Sequence, residues 1–198
     1  MPNGPPRPTV SAPPDAASLH DAALAYLARY AATEAALRRT LERRIDRWAR
    51  GAEATVDRDT IAVQAAAARQ AVAEVVARLA AAGAVSDAAF AASRARSLTR
   101  SGRSQRAVAA HLAAKGVDPA TLKSVLPEDD GEAELAAALV LARRRRIGPF
   151  RTGDPPDPAG RQRELAVFAR AGFPRGVAAR ALAMAPDEAE EIVLRLRR

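Results

Sequence analysis

Arginine is the residue type in this sequence best suited to bind another molecule. Of the 198 residues, 31 are lysine or arginine and 23 are aspartate or glutamate, which gives a net charge of +8. The only lysines are Lys115 and Lys123, so arginine supplies nearly all of the positive charge. Its guanidinium stays charged and offers a planar set of donors that matches phosphate and carboxylate groups. The composition therefore predicts a partner that is a polyanion or an acidic protein, without deciding between them.

The basic residues are concentrated in three regions. Residues 88–117 contain six of them and no acid, and residues 143–146 are four consecutive arginines. In residues 38–50, Glu42 and Asp46 lie among the arginines, so this region fits either a binding surface or an ordinary solvated helix face. The residues that we predict to contact a partner are Arg38, Arg39, Arg94, Arg96, Arg103, Arg106, Lys115, Arg143, Arg144, Arg145 and Arg146.

The residue types that most often carry catalysis are absent or isolated. The sequence has no cysteine, which excludes a disulfide, a cysteine-ligated zinc and a thiol nucleophile. Neither His20 nor His111 has a carboxylate and a nucleophile at the spacing of a catalytic triad. The acids at 128–134 lack metal-ligand spacing and precede a helix, whose dipole stabilises negative charge there. We therefore predict a protein that is not an enzyme and needs no cofactor or metal.

The sequence contains no sign of a membrane segment or a secretion signal. No apolar run approaches the ~20 residues that a membrane-spanning helix requires. Residues 1–14 contain six prolines and no apolar stretch of signal-peptide type, and this composition predicts a disordered tail. We expect a soluble cytoplasmic protein.

Alanine-rich segments without proline dominate the rest of the chain. Alanine has the highest helix propensity, and apolar residues such as Ile61, Val72 and Val76 recur at helical spacing. The pairs Asp118-Pro119 and Pro186-Asp187 are typical of helix starts. The fold class is therefore predicted as all-α, with helices at 15–31, 33–50, 56–82, 86–100, 104–115, 118–126, 132–146, 159–171, 174–184 and 186–197.

One pattern occurs three times along the chain. If Thr33, Ser104 and Pro174 are taken as helix starts, matching residues precede and follow each of them. Each frame is thus predicted to contain a helix, a tight turn and a second helix whose apolar residues are buried on successive turns. The matching positions are Leu27, Leu98 and Phe168, then Arg29, Arg100 and Arg170, and finally Leu41, Leu112 and Leu182.

These repeats predict a tandem array of small three-helix, helix-turn-helix-like modules. We place the modules at 15–55, 56–127 and 128–198, after the tail of residues 1–14. Such arrays are elongated and offer an extended binding surface. The aromatic residues at helical spacing, among them Tyr26 and Tyr30, are interpreted as core residues, with stacking on single-stranded bases as the alternative. The shared arginine of each frame (Arg29, Arg100 and Arg170) is interpreted as a brace of the hairpin turn.

The same three frames resemble the RecX family, whose members regulate the RecA recombinase. The resemblance is collinear over about residues 20–197 and each of its motifs is short. The motifs are residues 24–30 with Thr33 and 37–39, then Gly83, Asp87, 90–91, Gly102, Arg106, Leu112 and 115–117, and finally 142–150 (ARRRRIGPF) and 168–173. The sequence departs from the family at Ala171, where a second basic residue is usual, and at Ala31 and Ala32.

The resemblance implies tandem three-helix modules, a cytoplasmic location and no catalysis. It also implies binding to the RecA–DNA filament, which restrains ATP hydrolysis, strand exchange and coprotease activity. We further expect the protein to be a monomer. Single-stranded or double-stranded DNA is a further partner that the arginines would suit.

Two other functions are compatible with the residues. A helix-turn-helix protein could bind duplex DNA without RecA, with Ser104, Gln105 and Arg106 at the start of a recognition helix. The equivalent positions after Thr33 and Pro174 do not repeat that chemistry. A purely structural helical scaffold also fits the composition, but it leaves the acid-free residues 88–117 unexplained.

Overall fold

The computed structural model describes residues 12–126 and 131–197, and within them the chain forms ten α-helices, a short 3₁₀ turn and no strand. The predicted all-α fold is thus confirmed, whereas most of the predicted tail (residues 1–11) lies outside the described residues. In chain order, the helices are α1 (Ala16–Leu27), α2 (Glu34–Ala52), α3 (Arg58–Ala81), α4 (Asp87–Arg100), α5 (Gln105–Ala114), α6 (Pro119–Val125), α7 (Gly131–Arg145), α8 (Pro158–Arg170), α9 (Arg175–Ala183) and α10 (Pro186–Arg197); the 3₁₀ turn (Gly148–Phe150) follows α7.

Side-chain caps begin many of these helices. Asp15, Asp57 and Asp118 each accept hydrogen bonds from the first turn of α1, α3 and α6. Hydrogen bonds from the residue three positions later lower the pKa of all three carboxyls below the usual value. An N-terminal carboxylate satisfies free backbone donors and interacts favourably with the helix dipole, so these short polar residues fix where each helix starts.

The three predicted hairpins are α1–α2, α4–α5 and α8–α9. The residues that cap their second helices are Thr33, Ser104 and Pro174, as the repeat predicted. Thr33 and Ser104 are completely buried, and each side-chain oxygen accepts the backbone N–H three residues later. Local capping chemistry therefore accounts for the two hairpins that have a hydroxyl at this position, while Pro174 makes no side-chain cap.

The turn of the first hairpin differs from the other two. Gly102 and Gly172 have φ angles of +83° and +88°, a region that favours glycine because it has no Cβ. The first hairpin has Ala31 at this position, without a positive φ, and α1 ends at Leu27. The predicted helix 15–31 was therefore wrong in its last turn, because a chain without glycine there leaves the helix earlier and takes a longer connection.

The chain divides into two units, Met1–Asp87 and Ala88–Arg198. In the first unit, α1, α2 and α3 pack around one core that includes Leu19, Leu41, Ile45 and Val72. The α3 helix, which the predicted module boundaries place in 56–127, thus shares its core with α1 and α2. The division into modules at 15–55, 56–127 and 128–198 stays a prediction.

The second unit contains two cores. One lies among α4, α5 and α6 and includes Leu98 and Leu112, and the other lies among α7 to α10 and includes Leu139 and Phe168. Eight consecutive residues of α7, 135–142, are buried, which is the pattern of a helix covered on every side. A Cβ at Gly102 would lie 2.9 Å from Val140 Cγ1, so the α4–α5 turn packs directly on α7.

Candidate functional site

Five of the six basic residues of 88–117 lie on two different faces of the α4–α5 hairpin. Arg94 and Arg96 are both exposed, but two residues separate their positions by more than half a turn of helix. One face holds Arg94, Arg103 and Lys115 around His111, and is called here the histidine face. The other holds Arg96 and Arg100 beside an apolar cavity, and is called the cavity face. The acid-free residues 88–117 therefore form two surfaces with different chemistry.

The pKa of His111 is affected by the cations of the histidine face. Arg94 Nε donates to His111 Nε2 over 3.4 Å, which requires the unprotonated form of that nitrogen. Burial lowers the pKa of His111 first, and the positive charges of Arg94, Lys115 and Arg103 lower it further. The imidazole is therefore neutral at pH 7 within a group of three cations. An anion bound here would offset those charges.

The cavity face is a hollow of about 490 Å³. Its walls come from α4, α5, the end of α6, the start of α7 and the end of α10. Arg96 and Arg100 stand beside it, and Arg100 Nε donates to Arg96 O over 3.4 Å. Most of the remaining lining is aliphatic: Ala92, Ala95, Val108, Val125, Leu126, Ala133 and Leu196.

Sequence reasoning did not find this cavity. Its apolar walls belong to segments far apart in the chain, and only the helix packing brings them together. The local signal is the apolar pair Val125 and Leu126, which pack against the α4–α6 core and also line the hollow.

The start of α5 is enclosed by its own chain. Ser104 Oγ donates to Ala171 O over 2.7 Å, and the Gln105 N–H donates to Glu134 Oε2 over 2.8 Å. Arg106, although exposed, lies against the α8–α9 turn at Gly172. The first turn of this helix is therefore engaged with the segment that follows it, rather than open to a groove of DNA.

The four arginines at 143–146 have different surroundings. Arg143 forms an ion pair with Glu190 at 3.0 Å, and Arg144 Nη1 donates to Ser101 O over 3.0 Å. These two side chains join α7 to α10 and to the α4–α5 turn. Arg145 and Arg146 are exposed, and Arg146 has a φ of +53° where glycine would be less strained.

Other predicted positions are distributed over both units. Arg38 and Arg39 are exposed on α2, and Arg29, Arg100 and Arg170 are exposed at the ends of their hairpins. Arg100 bonds within its own helix, so no brace across its turn is present there. Of the predicted apolar repeat positions, those buried are Leu41, Leu98, Leu112 and Phe168, and those half-buried are Leu27 and Leu182.

The aromatic interpretation was wrong for one residue. Tyr30 is 57% exposed, beside the half-buried Tyr26, whose ring centroid lies 5.2 Å away. Both tyrosines lie near the end of α1, where the chain leaves the helix early and no longer directs Tyr30 inward.

Two kinds of site are absent from residues 12–126 and 131–197. No group of three or more metal-ligating side chains comes together there. None of the helices in these residues is long and apolar enough to cross a membrane.

The fold and these faces define a helical-repeat protein with a cationic hairpin. Residues 86–126, which contain α4, α5 and α6, match the family model of the second three-helix domain of RecX. The chain is 39% identical over 176 residues to the Regulatory protein RecX of Myxococcus xanthus, which covers 88% of each chain. It is 39% identical over 110 residues to the Regulatory protein RecX of Agrobacterium fabrum, or 56% of this chain and 58% of that relative. No solved structure matches significantly.

This chain therefore belongs to the RecX family of regulatory proteins, as the motifs of its three frames predicted.

Proposed function

We propose that this RecX-family protein binds the RecA–DNA filament and restrains its ATP hydrolysis, strand exchange and coprotease activity. The observation that carries the proposal is the α4–α5 hairpin, whose residues 88–117 present six cations and no acid. Such a surface suits both the phosphates of a nucleoprotein filament and acidic protein surfaces. The same proposal implies a cytoplasmic monomer without catalytic activity.

The repeated hairpins support a filament as the partner. Successive hairpins can contact successive protomers of a polymer, and each contact raises the effective concentration of the next. Weak individual contacts then add up to tight binding. We expect the exposed arginines on α2, including Arg38 and Arg39, to contribute together with the α4–α5 hairpin, as do Arg145 and Arg146 after α7.

A helix-turn-helix protein that reads duplex DNA without RecA is the second candidate. Such proteins present the first turn of the recognition helix to base edges in the major groove. In this chain, Ser104 is completely buried and the Gln105 N–H is bonded to Glu134. The enclosed start of α5 therefore favours the filament over direct reading of bases.

The test of the main proposal is an ATPase assay of the cognate RecA on single-stranded DNA, titrated with this protein. Inhibition at ratios well below one protein per RecA is expected, because one bound molecule affects several protomers of a filament. Unchanged ATP hydrolysis, combined with binding to duplex DNA, would support the second candidate instead.

A charge-matched pair of variants tests the surface. The first replaces Arg94, Arg96, Arg103 and Arg106 with glutamine, and should relieve inhibition while the circular dichroism stays helical. Each lost phosphate contact should lower the salt slope of DNA binding by about 0.7–0.9. The control replaces four exposed arginines elsewhere, Arg58, Arg78, Arg161 and Arg175, and should inhibit like the parent. Equal inhibition by both variants would mean that the hairpin surface is a solvated helix face that does not contact the filament.

A further inference from the structure

The cavity face has properties that phosphate binding does not explain. Its walls are mostly aliphatic, and its lining contains no aromatic ring on which a base could stack. Its volume of about 490 Å³ lies within the range of pockets that bind small ligands or anchoring side chains. The half-buried aliphatic residues that would contact an occupant are Ala92, Val125, Leu126 and Leu196.

Positive charge borders this apolar hollow. Arg96 and Arg100 are exposed, and within the part of the chain that the structure describes neither forms an ion pair. Glu134 also lines the hollow, but its Oε2 accepts the Gln105 N–H over 2.8 Å and is used at the start of α5. A carboxylate arriving at the rim would therefore find two guanidinium groups ready to bind it.

We propose that the cavity face binds a segment of a partner protein in which an apolar side chain is flanked by carboxylates. The apolar side chain would enter the hollow, and the carboxylates would pair with Arg96 and Arg100. This deepens the proposed regulatory function and rests on it, because it assigns the protein contact to the cavity face. Phosphates would then go to the histidine face, where Arg94, Arg103 and Lys115 surround a polar imidazole.

Charge complementarity selects this occupant over others. Burial of an apolar anchor supplies the affinity, while the arginines select segments that carry acids and reject basic ones. A purely polyanionic chain would leave the aliphatic walls in water, and a purely apolar segment would leave the two arginines without partners.

A direct test uses a fluorescent peptide with a phenylalanine–leucine pair between two acidic flanks. Anisotropy should show saturable binding to the parent protein. NMR shifts should fall on Ala92, Val125 and Leu126. A peptide with two serines in place of the apolar pair should bind about tenfold more weakly. Equal binding of both peptides, shifts centred on His111, or displacement by millimolar inorganic phosphate would overturn the proposal.

Two variants of the protein test the hollow and its rim separately. Ala92→Trp should fill the hollow and abolish peptide binding, whereas Ala77→Trp, an equal change at an exposed site on α3, should not. Replacement of Arg96 and Arg100 by glutamine should weaken peptide binding by about tenfold. The charge-matched control, Arg94→Gln with Arg103→Gln, should weaken binding to single-stranded DNA instead. Melting temperatures confirm that each variant is folded.

The RecA ATPase assay distinguishes failure of this inference from failure of the proposed function. Inhibition by the parent and by Ala92→Trp alike would overturn the cavity proposal and keep the function. Peptide binding at the cavity without any inhibition of RecA would keep the site and overturn the function. Loss of inhibition in Ala92→Trp, with normal binding to DNA, is the result expected if both are right.

Discussion

The first and second hairpins begin from the same pattern and end in different structures. Each starts its second helix with a buried hydroxyl cap, Thr33 or Ser104, and in each the next backbone N–H donates to a distant carboxylate over 2.8 Å. The second hairpin adds a turn glycine that packs against α7, while the first has a longer connection with an exposed tyrosine. A shared cap thus sets the start of a helix, and the turn residue decides how closely the next element approaches.

The largest effect should come from adding a single methyl group to the second turn. Gly102→Ala would put a Cβ 2.9 Å from Val140 Cγ1 and 3.1 Å from the backbone nitrogen of Leu141, at a φ of +83°. Strain and overpacking together should lower the free energy of unfolding by about 3 kcal/mol. Urea unfolding of the full-length variant, followed by circular dichroism, measures this.

The control for that change is Gly83→Ala in the first unit. Gly83 has a φ of +71°, but a Cβ there meets nothing within 4 Å. Only the conformational cost of about 1 kcal/mol should remain. Equal losses in the two variants would mean that close packing of the second turn adds nothing to its stability.

Truncation of equivalent apolar residues should also separate the hairpins. Leu98 is buried, whereas Leu27, the residue at the same position of the first hairpin, is half-buried. Leu98→Ala should cost about 2–3 kcal/mol, and Leu27→Ala about 1 kcal/mol. Hydrogen exchange should show lost protection in the mutated unit alone. Uniform loss across residues 12–126 and 131–197 would instead indicate a single cooperative core.

The distant carboxylates give a smaller effect that should be similar in both hairpins. Asp87→Asn and Glu134→Gln each keep the size of the side chain but remove its charge. Each bond to a helix N-terminus should weaken, with a loss of about 0.5–1 kcal/mol in the free energy of unfolding. If only Glu134→Gln were destabilising, the two carboxylates would not have the same role in the two hairpins.

The smallest expected effect is a pH dependence confined to the second hairpin. The pKa of His111 lies below its usual value, so the free protein loses some stability as the pH falls from the usual histidine range toward that lowered pKa. Bound phosphate should raise the pKa of His111 again. Proton uptake should therefore accompany DNA binding. Between pH 7.5 and 5.5 the affinity for single-stranded DNA should rise about threefold more in the parent than in His111→Gln. Parallel pH profiles would contradict this.

The sequence predicted those parts of the fold that local chemistry controls. Thr33 and Ser104 could be assigned as helix starts because a cap acts on backbone groups within three residues. The apolar face of α3 was also visible, since Ile61, Val72 and Val76 repeat at helical spacing. The spacing does not identify the partner of such a face, and the packing of α3 on α1 and α2 depends on contacts distant in sequence.

The sequence predicted which residues supply the positive charge of the candidate site, but not how those residues are arranged in space. The acid-free residues 88–117 identified the cations, but not their separation into two faces or the hollow between α4 and the end of α10. Arg143 and Arg144 were predicted as binding residues, whereas in the structure one pairs with Glu190 and the other bonds Ser101 O. Tyr30 lies outside the core because the turn without glycine changes the direction of the chain.

The distant carboxylates also have a consequence for synthesis on the ribosome. The ribosome synthesises the chain from its N-terminus, so each backbone donor is made before its carboxylate acceptor. Asp87 is added 53 residues after Glu34, and Glu134 is added 29 residues after Gln105. Until then, each nascent hairpin carries a backbone donor that only water can satisfy, and its helix start is weaker. Each new segment would thus complete the hairpin made before it, which gives this repeat protein a direction of assembly from its first hairpin to its last.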